Sequence, residues 1–210
     1  MRDSLMILAF FVLGVVLAIF GVVPDTLDIT LLSKYVLYFL MFLVGVNIGL
    51  DRQIVSLIKA QPLRMLLLPL FTMAGTFAGA LLAFAITSMI NGAGFAYNLG
   101  AADSLSIGAG FGYYSLSSIL LNEVRGAEIG TIALAANIIR ELMTILFAPL
   151  LVKYFGRFAP ISSGGATTMD TTLPIIQKFS GNECVPISIY HGIVMDFSVP
   201  LFLTLFISLA

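Results

Sequence analysis

Charge is what this sequence has least of. Only 10% of its 210 residues are charged, whereas a soluble domain carries about 25%. So little polar surface cannot cover a globule that faces water. The hydrophobic fraction of 60% and the mean hydropathy of +1.08 agree. We therefore expect an integral membrane protein whose main surroundings are the lipid bilayer.

Three further scarcities narrow the function. Tryptophan is absent, so an aromatic belt at the membrane surface must use tyrosine. Cys184 is the only cysteine, so the chain can form no internal disulfide and no cysteine metal site. The net charge of −1 offers nucleic acid no basic surface. No metal, cofactor or nucleic-acid partner is predicted.

Long apolar runs define the fold class. A helix needs about 20 residues to cross a bilayer, and the segments 5–23, 31–50, 66–89, 126–154 and 185–210 are long and apolar enough. Two other stretches, 104–122 and 160–181, are apolar but interrupted by glycine, serine and threonine. The sequence predicts an all-α membrane protein with about five transmembrane helices plus two re-entrant or broken-helix segments.

The positions of lysine and arginine predict the topology, because cytoplasmic loops carry an excess of both. Seven of these residues fall on one side if 104–122 is a hairpin that enters and leaves by the same face. The N-terminus is then cytoplasmic and the C-terminus extracytoplasmic. Residues 1–210 form one transmembrane domain, in which 1–64 hold two spans and a cytoplasmic connector and 65–210 the broken-helix core.

An arginine and a glutamate lie inside the fourth long segment. A charge near the bilayer centre costs about 2.5–3.5 kcal/mol on insertion scales, so such residues usually face a protein-lined cavity. At helical spacing, Asn137, Glu141 and Thr144 share one face and Arg140 lies at its edge. Two ionisable groups beside an asparagine and a threonine favour a cavity that binds an ion or a polar solute.

Two alternatives use the same acidic residues differently. Arg140 pairs with Asp170 or Asp103 in a purely structural arrangement, with Glu141 as a hydrogen-bond acceptor. Alternatively, Asp103 and Asp170 form the pair of an intramembrane aspartyl enzyme. The second is disfavoured because Asp170 follows Ala-Thr-Thr-Met rather than Gly-x-Gly, and because Asp103 lies in a loop-like stretch. The protein is not expected to be an enzyme.

The interrupted stretches supply the other candidate binding residues. Tyr114, Ser115 and Ser117 follow a run of glycines, and Thr168 and Asp170 follow Gly-Gly-Ala-Thr. A phosphate loop is excluded because the GxGxxG spacing and a following lysine are absent. Transporters often place such broken elements at a midplane binding site. The alternative is two ordinary loops outside the membrane.

His191 is the only histidine and lies on the last span, with Ser188 and Met195 on its side. It is either a hydrogen-bonded packing residue or a proton carrier. Asp196 points elsewhere on the same helix.

Four strings together resemble the lysine exporter LysO family. They are Gly-Phe-Gly-Tyr-Tyr-Ser-Leu-Ser-Ser-Ile-Leu at 110–120, Arg-Glu-Leu at 140–142, Gly-Ala-Thr-Thr-Met-Asp-Thr-Thr-Leu-Pro at 165–174, and Val-Pro at 185–186 with His-Gly at 191–192. A Phe-Leu-Val-Gly-Val string at 42–46 also resembles an earlier span of that family. Each string alone is weak, but their order and spacing agree over nearly the whole chain.

The resemblance implies a bacterial inner-membrane exporter of L-lysine and related basic amino acids. It places the family's functionally important buried glutamate at Glu141. Full-length members carry a further N-terminal stretch with another important acid. The resemblance therefore implies a partner, either a small membrane protein that supplies this part or a second copy of the chain. A non-transporting assembly subunit is the alternative function.

Export of a cation works against an inside-negative potential, at about 2.3 kcal/mol per charge per 100 mV. Proton antiport cancels that charge movement, and Na⁺ is the alternative coupling ion. Glu141 is expected to bind either the lysine ammonium or a proton. Arg140 or backbone N–H groups of the broken segments are expected to hold the substrate carboxylate, and Asp170 to hold Arg140 or the substrate amine.

Overall fold

The computed structural model describes residues 62–91 and 99–209, together with scattered positions between 13 and 56. The chain divides into two compact units, residues 1–48 and 49–210. Within the described residues the second unit is made of helices and turns, without a strand. The all-α membrane class is thus confirmed. The two spans predicted at 5–23 and 31–50 lie largely outside the described residues.

Three long helices form the frame of the second unit. They are α1 (Pro62–Asn91), α4 (Ala127–Phe155) and α7 (Val185–Ile207). The described residues contain three segments long and apolar enough to cross a bilayer, Met65–Ile90, Ala127–Phe155 and Asn182–Ile207. These confirm the third, fourth and fifth predicted spans. Each helix keeps an internal proline (Pro69, Pro149 and Pro200), which membrane helices tolerate when neighbouring helices satisfy the freed carbonyl.

The first interrupted stretch is a helical hairpin. Helix α2 (Ala101–Gly108) and helix α3 (Tyr114–Arg125) are joined by a turn at residues 109–113. At the open end the Arg125 guanidinium lies 2.7 Å from an Asp103 carboxylate oxygen. Because this ion pair joins the start of α2 to the end of α3, the two ends of the segment lie together. The predicted hairpin is confirmed, and its entry into the membrane from one face stays a prediction.

The second interrupted stretch is a hairpin of the same kind. Helix α5 (Ala159–Gly164) leads into a 3₁₀ helix (Gly165–Met169), and α6 (Leu173–Ser180) returns. A short 3₁₀ turn (Asn182–Cys184) then leads into α7. At its open end Arg157 forms an ion pair with Glu183. Helix α4 runs from the open end of the first hairpin to that of the second, so the two hairpins point towards each other.

Candidate functional site

The tips of the two hairpins touch through their backbones. The Ala166 N–H donates a 2.8 Å hydrogen bond to the Phe111 carbonyl oxygen. Gly165 has a φ of +66°, and a Cβ placed there would lie 2.0 Å from the same oxygen. A Cβ on Gly112 would lie 3.0 Å from the Gly164 carbonyl oxygen. Glycine is therefore required at this contact, and the two stretches identified as broken form one junction.

Phe111 holds an unusual conformation at the first tip. Its φ of 46° lies in the left-handed region, which costs a residue with a side chain about 1–2 kcal/mol. The Phe111 ring is fully buried and packs 5.4 Å from the Phe77 ring and 6.1 Å from the Phe202 ring. This packing and the bond from Ala166 offset the backbone strain. Such strain clusters at functional sites.

Asn137 on α4 fastens the first tip. Its Oδ1 accepts a 2.7 Å hydrogen bond from the Gly112 N–H, and its Nδ2 donates to Ser117 Oγ at 3.2 Å and to the Ala133 carbonyl at 2.8 Å. Asn137 is buried, and a Cβ on Gly110 would lie 2.4 Å from its Nδ2. The amide thus satisfies a backbone N–H that the broken helix leaves free.

Arg140 fastens the second hairpin, one turn further along α4. Its Nε donates to the Ser163 carbonyl at 2.8 Å and its Nη2 to the Ser162 carbonyl at 3.1 Å. Its Nη1 donates to Thr76 Oγ1 on α1 at 3.2 Å. These carbonyls lie at the end of α5, where a helix attracts positive charge.

The predicted carboxylate partners of Arg140 are occupied elsewhere. Asp103 binds Arg125 and accepts the Gly100 N–H. Asp170 is exposed, and its Oδ1 accepts the Thr171 N–H at 2.6 Å. The structural pairing considered for Arg140 is therefore wrong, and the aspartyl pair would lack a free Asp103 carboxylate.

The polar face of α4 that meets the hairpins differs from the predicted face. Thr144 is fully buried and lies 2.7 Å from Ser163 Oγ. Arg140 therefore faces the hairpins together with Asn137 and Thr144, instead of lying at the edge. Glu141 is the partly buried residue at the edge, and it forms no hydrogen bond or ion pair with the part of the chain that the structure describes. It is the fifteenth of the 29 residues of α4 and so lies at the helix midpoint.

His191 is fully buried and joins three elements. Its Nε2 lies 3.0 Å from Thr72 Oγ1 on α1, and its Nδ1 lies 3.3 Å from Thr168 Oγ1 at the second tip. The Thr168 hydroxyl is also 2.7 Å from the Gly165 carbonyl and 3.0 Å from the Ser188 carbonyl. Thr168 is buried, so its hydroxyl supplies a hydrogen-bond donor to backbone carbonyls at the broken segment.

The start of α3 combines exposed hydroxyls with free backbone donors. Tyr114 and Ser115 are exposed, whereas Ser117 is buried and bonded to Asn137. No side chain caps the N-terminus of α3. The first turn of a helix has N–H groups without helical acceptors and a partial positive charge, so this end can receive an anionic group.

Asp196 is closer to the junction than the sequence suggested. This partly buried residue of α7 interacts electrostatically with Asp170 and with Tyr113, which lies at the first tip. The direction in which the Asp196 side chain points stays a prediction. An acid inside a membrane span is itself a signal of function and could have identified it.

Thr72 and Thr76 were also missed. They lie four residues apart in an uncharged apolar run, where a threonine usually bonds its own helix. Their spacing puts both hydroxyls on one face of α1, but only the fold shows what meets that face.

Comparison with known proteins shows the family to which the chain is related. The family model described as lysine exporter LysO matches residues 8–207. The chain is 33% identical to the lysine exporter LysO of Escherichia coli K12 over 174 residues, which are 83% of this chain and 54% of that protein. It is 34% identical to a putative lysine exporter of Haemophilus influenzae Rd over 179 residues, 84% of each chain. The chain thus spans about half the length of the first relative. No solved structure matches. These matches confirm the resemblance: the chain belongs to the lysine exporter LysO family.

Proposed function

We propose that this membrane-embedded chain exports L-lysine and related basic amino acids by proton antiport. The observation that carries the proposal is the position of Glu141. A carboxylate without a partner among the described residues lies at the midpoint of a spanning helix, next in sequence to Arg140, which binds the second hairpin. Its relatives are named as a lysine exporter and a putative lysine exporter, which supplies the class of substrate.

Glu141 is the proposed coupling group. A carboxylate that binds either the lysine ammonium or a proton exchanges one positive charge for another. The exchange avoids the cost of moving net charge against the potential, about 2.3 kcal/mol per charge per 100 mV. Na⁺ in place of the proton is the alternative, and it is tested by the same gradient experiment.

The substrate carboxylate is proposed to bind at the start of α3, where Tyr114 and Ser115 are exposed and helix N–H groups are free. Arg140 is a weaker choice than the sequence suggested, because it already donates to three protein acceptors. Asp170 and its electrostatic neighbour Asp196 add negative charge near the junction for the cationic end of the substrate.

The proposed location is the bacterial inner membrane, with the N-terminus in the cytoplasm and the C-terminus outside. Lysine and arginine placement supports this orientation. Lys153, Arg157 and Lys178 lie at the second hairpin's open end or beside it, whereas Glu123 and Glu128 lie near the first. A partner membrane protein or a second copy is proposed to complete the transporter.

Radiolabelled lysine efflux from loaded cells tests the coupling role. We expect Glu141→Gln to abolish coupled efflux, because the amide can carry neither a proton nor an ion pair. The matched control is Glu128→Gln, since Glu128 is an exposed acid in the first turn of the same helix. Unchanged efflux with Glu141→Gln would remove the coupling role.

Counterflow in proteoliposomes separates exporter from assembly subunit. The purified chain is tested alone and with whatever membrane protein co-purifies, each with and without a pH gradient. Lysine exchange that responds to the pH gradient supports antiport. Absence of exchange in every combination would favour the assembly role.

A further inference from the structure

The second hairpin tip is held between α1, α4 and α7 by two side chains that end on neighbouring threonines. We propose that Arg140 and His191 are paired positioning residues, which clamp this tip to Thr76 and Thr72 of α1 and so keep the junction of the two hairpins in register. The inference rests on the proposed export function for its transport readout only.

The two clamps converge on the same few residues of the tip. Arg140 binds the Ser162 and Ser163 carbonyls, and its guanidinium carbon would lie 3.3 Å from a Cβ placed on Gly165. His191 reaches Thr168, whose hydroxyl meets the Gly165 carbonyl. The residue between these contacts, Ala166, makes the backbone bond to Phe111. Both side chains therefore grip the segment that makes the junction.

The direction of the Arg140 bond follows from the threonines of α1. Thr72 donates its hydroxyl proton to the Leu68 carbonyl at 3.0 Å, and Thr76 donates to the Thr72 carbonyl at 2.8 Å. Each oxygen is then left as an acceptor towards the core, and Arg140, which can only donate, donates to Thr76. The Thr168 hydroxyl also lies within hydrogen-bond distance of backbone carbonyls, so either ring nitrogen of His191 can donate to the threonine oxygen that it faces.

A positioning role for His191 is the alternative to the proton-carrier hypothesis. Both ring nitrogens lie beside hydroxyl groups, and the residue is fully buried. A carrier must exchange its proton with water or a carboxylate during the cycle. A positioning residue needs only the fixed bonds observed.

Hydrogen exchange at the second tip tests the clamp without any transport assay. Thr72→Val and Thr76→Val keep the shape of the side chain but remove the acceptor. In each variant we expect amide exchange of residues 162–169 to become about fivefold faster or more, the equivalent of one lost hydrogen bond. Arg140→Lys keeps the charge but loses the fork, so it should loosen the same segment.

Matched variants distinguish the clamp from general damage. Thr72→Ser and Thr76→Ser keep the hydroxyl and should restore slow exchange. Thr87→Val is the control on the same helix, because the bonds of Thr87 to described residues go to the Ala83 and Phe84 carbonyls of that helix.

Lysine counterflow gives the second readout. Since neither threonine is placed against the substrate, the valine variants should lower the maximal rate per folded molecule about tenfold and leave half-saturation nearly unchanged. Unchanged exchange of 162–169 in both valine variants, or equal loosening in Thr87→Val, overturns the proposal. If exchange responds as expected but the wild type moves no lysine, the clamp stands and the export proposal fails.

Discussion

Single residues at the junction are fixed by space more than by chemistry. Gly165 has a positive φ and faces the Phe111 carbonyl oxygen at a distance that no Cβ can occupy. Gly192 on α7 is similarly close to the Met169 backbone nitrogen, with 2.7 Å to an added Cβ. At these positions the absence of a side chain lets one backbone approach another.

Gly165→Ala is expected to destabilise the protein strongly. The left-handed conformation costs a side-chain residue about 1–2 kcal/mol, and overpacking typically adds about 1–3 kcal/mol. Thermal unfolding in detergent should show a midpoint several degrees below the wild type. Gly79→Ala is the control, because a Cβ there meets nothing within 4 Å. Equal midpoints for the two variants would contradict the tight contact.

The residue types predicted where the site lies better than they predicted its hydrogen-bond partners. The glycine runs identified both interrupted segments. The adjacent arginine and glutamate in an apolar segment identified α4, the helix that both hairpins contact. The sequence did not predict that Arg140 binds carbonyls, because backbone acceptors at a helix end leave no signature in residue identity. Thr72 and Thr76 were invisible for a related reason, since their partners lie 119 and 64 residues away.

An ion pair closes the open end of each hairpin, and the two ion pairs differ in burial. The Asp103 side chain is 9% exposed and accepts both Arg125 and the Gly100 N–H. The Arg157 and Glu183 side chains are 61% and 63% exposed. An exposed ion pair contributes about 0–1 kcal/mol, whereas loss of a buried charged partner costs more. The Asp103–Arg125 pair should therefore stabilise its hairpin more than the Arg157–Glu183 pair stabilises the other.

Asp103→Asn is expected to speed amide exchange in α2 and α3, because the neutral amide loses the ion pair with Arg125. Glu183→Gln should have a much smaller effect on its own hairpin. Glu123→Gln is the matched control for charge, since Glu123 is exposed on α3. Equal effects from Asp103→Asn and Glu183→Gln would show that burial does not set the strength of these pairs.

At the level of elements, the placement of lysine and arginine was informative because it constrains the topology of the whole chain. The hairpin form of 104–122 was predicted from where lysine and arginine must fall, and the Asp103–Arg125 pair confirms it. The second stretch was predicted as a re-entrant or broken-helix segment with an ordinary loop as the alternative, since its Gly-Ser-Thr composition fits both. Its hairpin form depends on the contact with the first tip.

For the molecule as a whole, the hairpins define two ends. The open end of the first hairpin adjoins the start of α4, and that of the second adjoins its end. If the N-terminus is cytoplasmic, the first open end faces outward and the second faces inward. The three spans seen in the described residues are compatible with this orientation, which stays a proposal.

Cysteine accessibility tests the orientation. In a Cys184→Ser background, Glu128→Cys should react with a membrane-impermeant maleimide in intact cells. Lys178→Cys should react only after the cells are opened. Both native residues are exposed, so lack of labelling cannot be assigned to burial. The reverse pattern would invert the proposed topology.

The meeting of the two tips has a practical consequence for genetics. The bond between Ala166 and Phe111 joins main-chain atoms, which every amino acid except proline can supply. Scanning the tips with alanine in search of lost side-chain function will therefore miss this bond wherever the native residue already has a Cβ. Substitutions that add a side chain to Gly165 or Gly112 act on this contact directly, because the added Cβ would displace one backbone from the other.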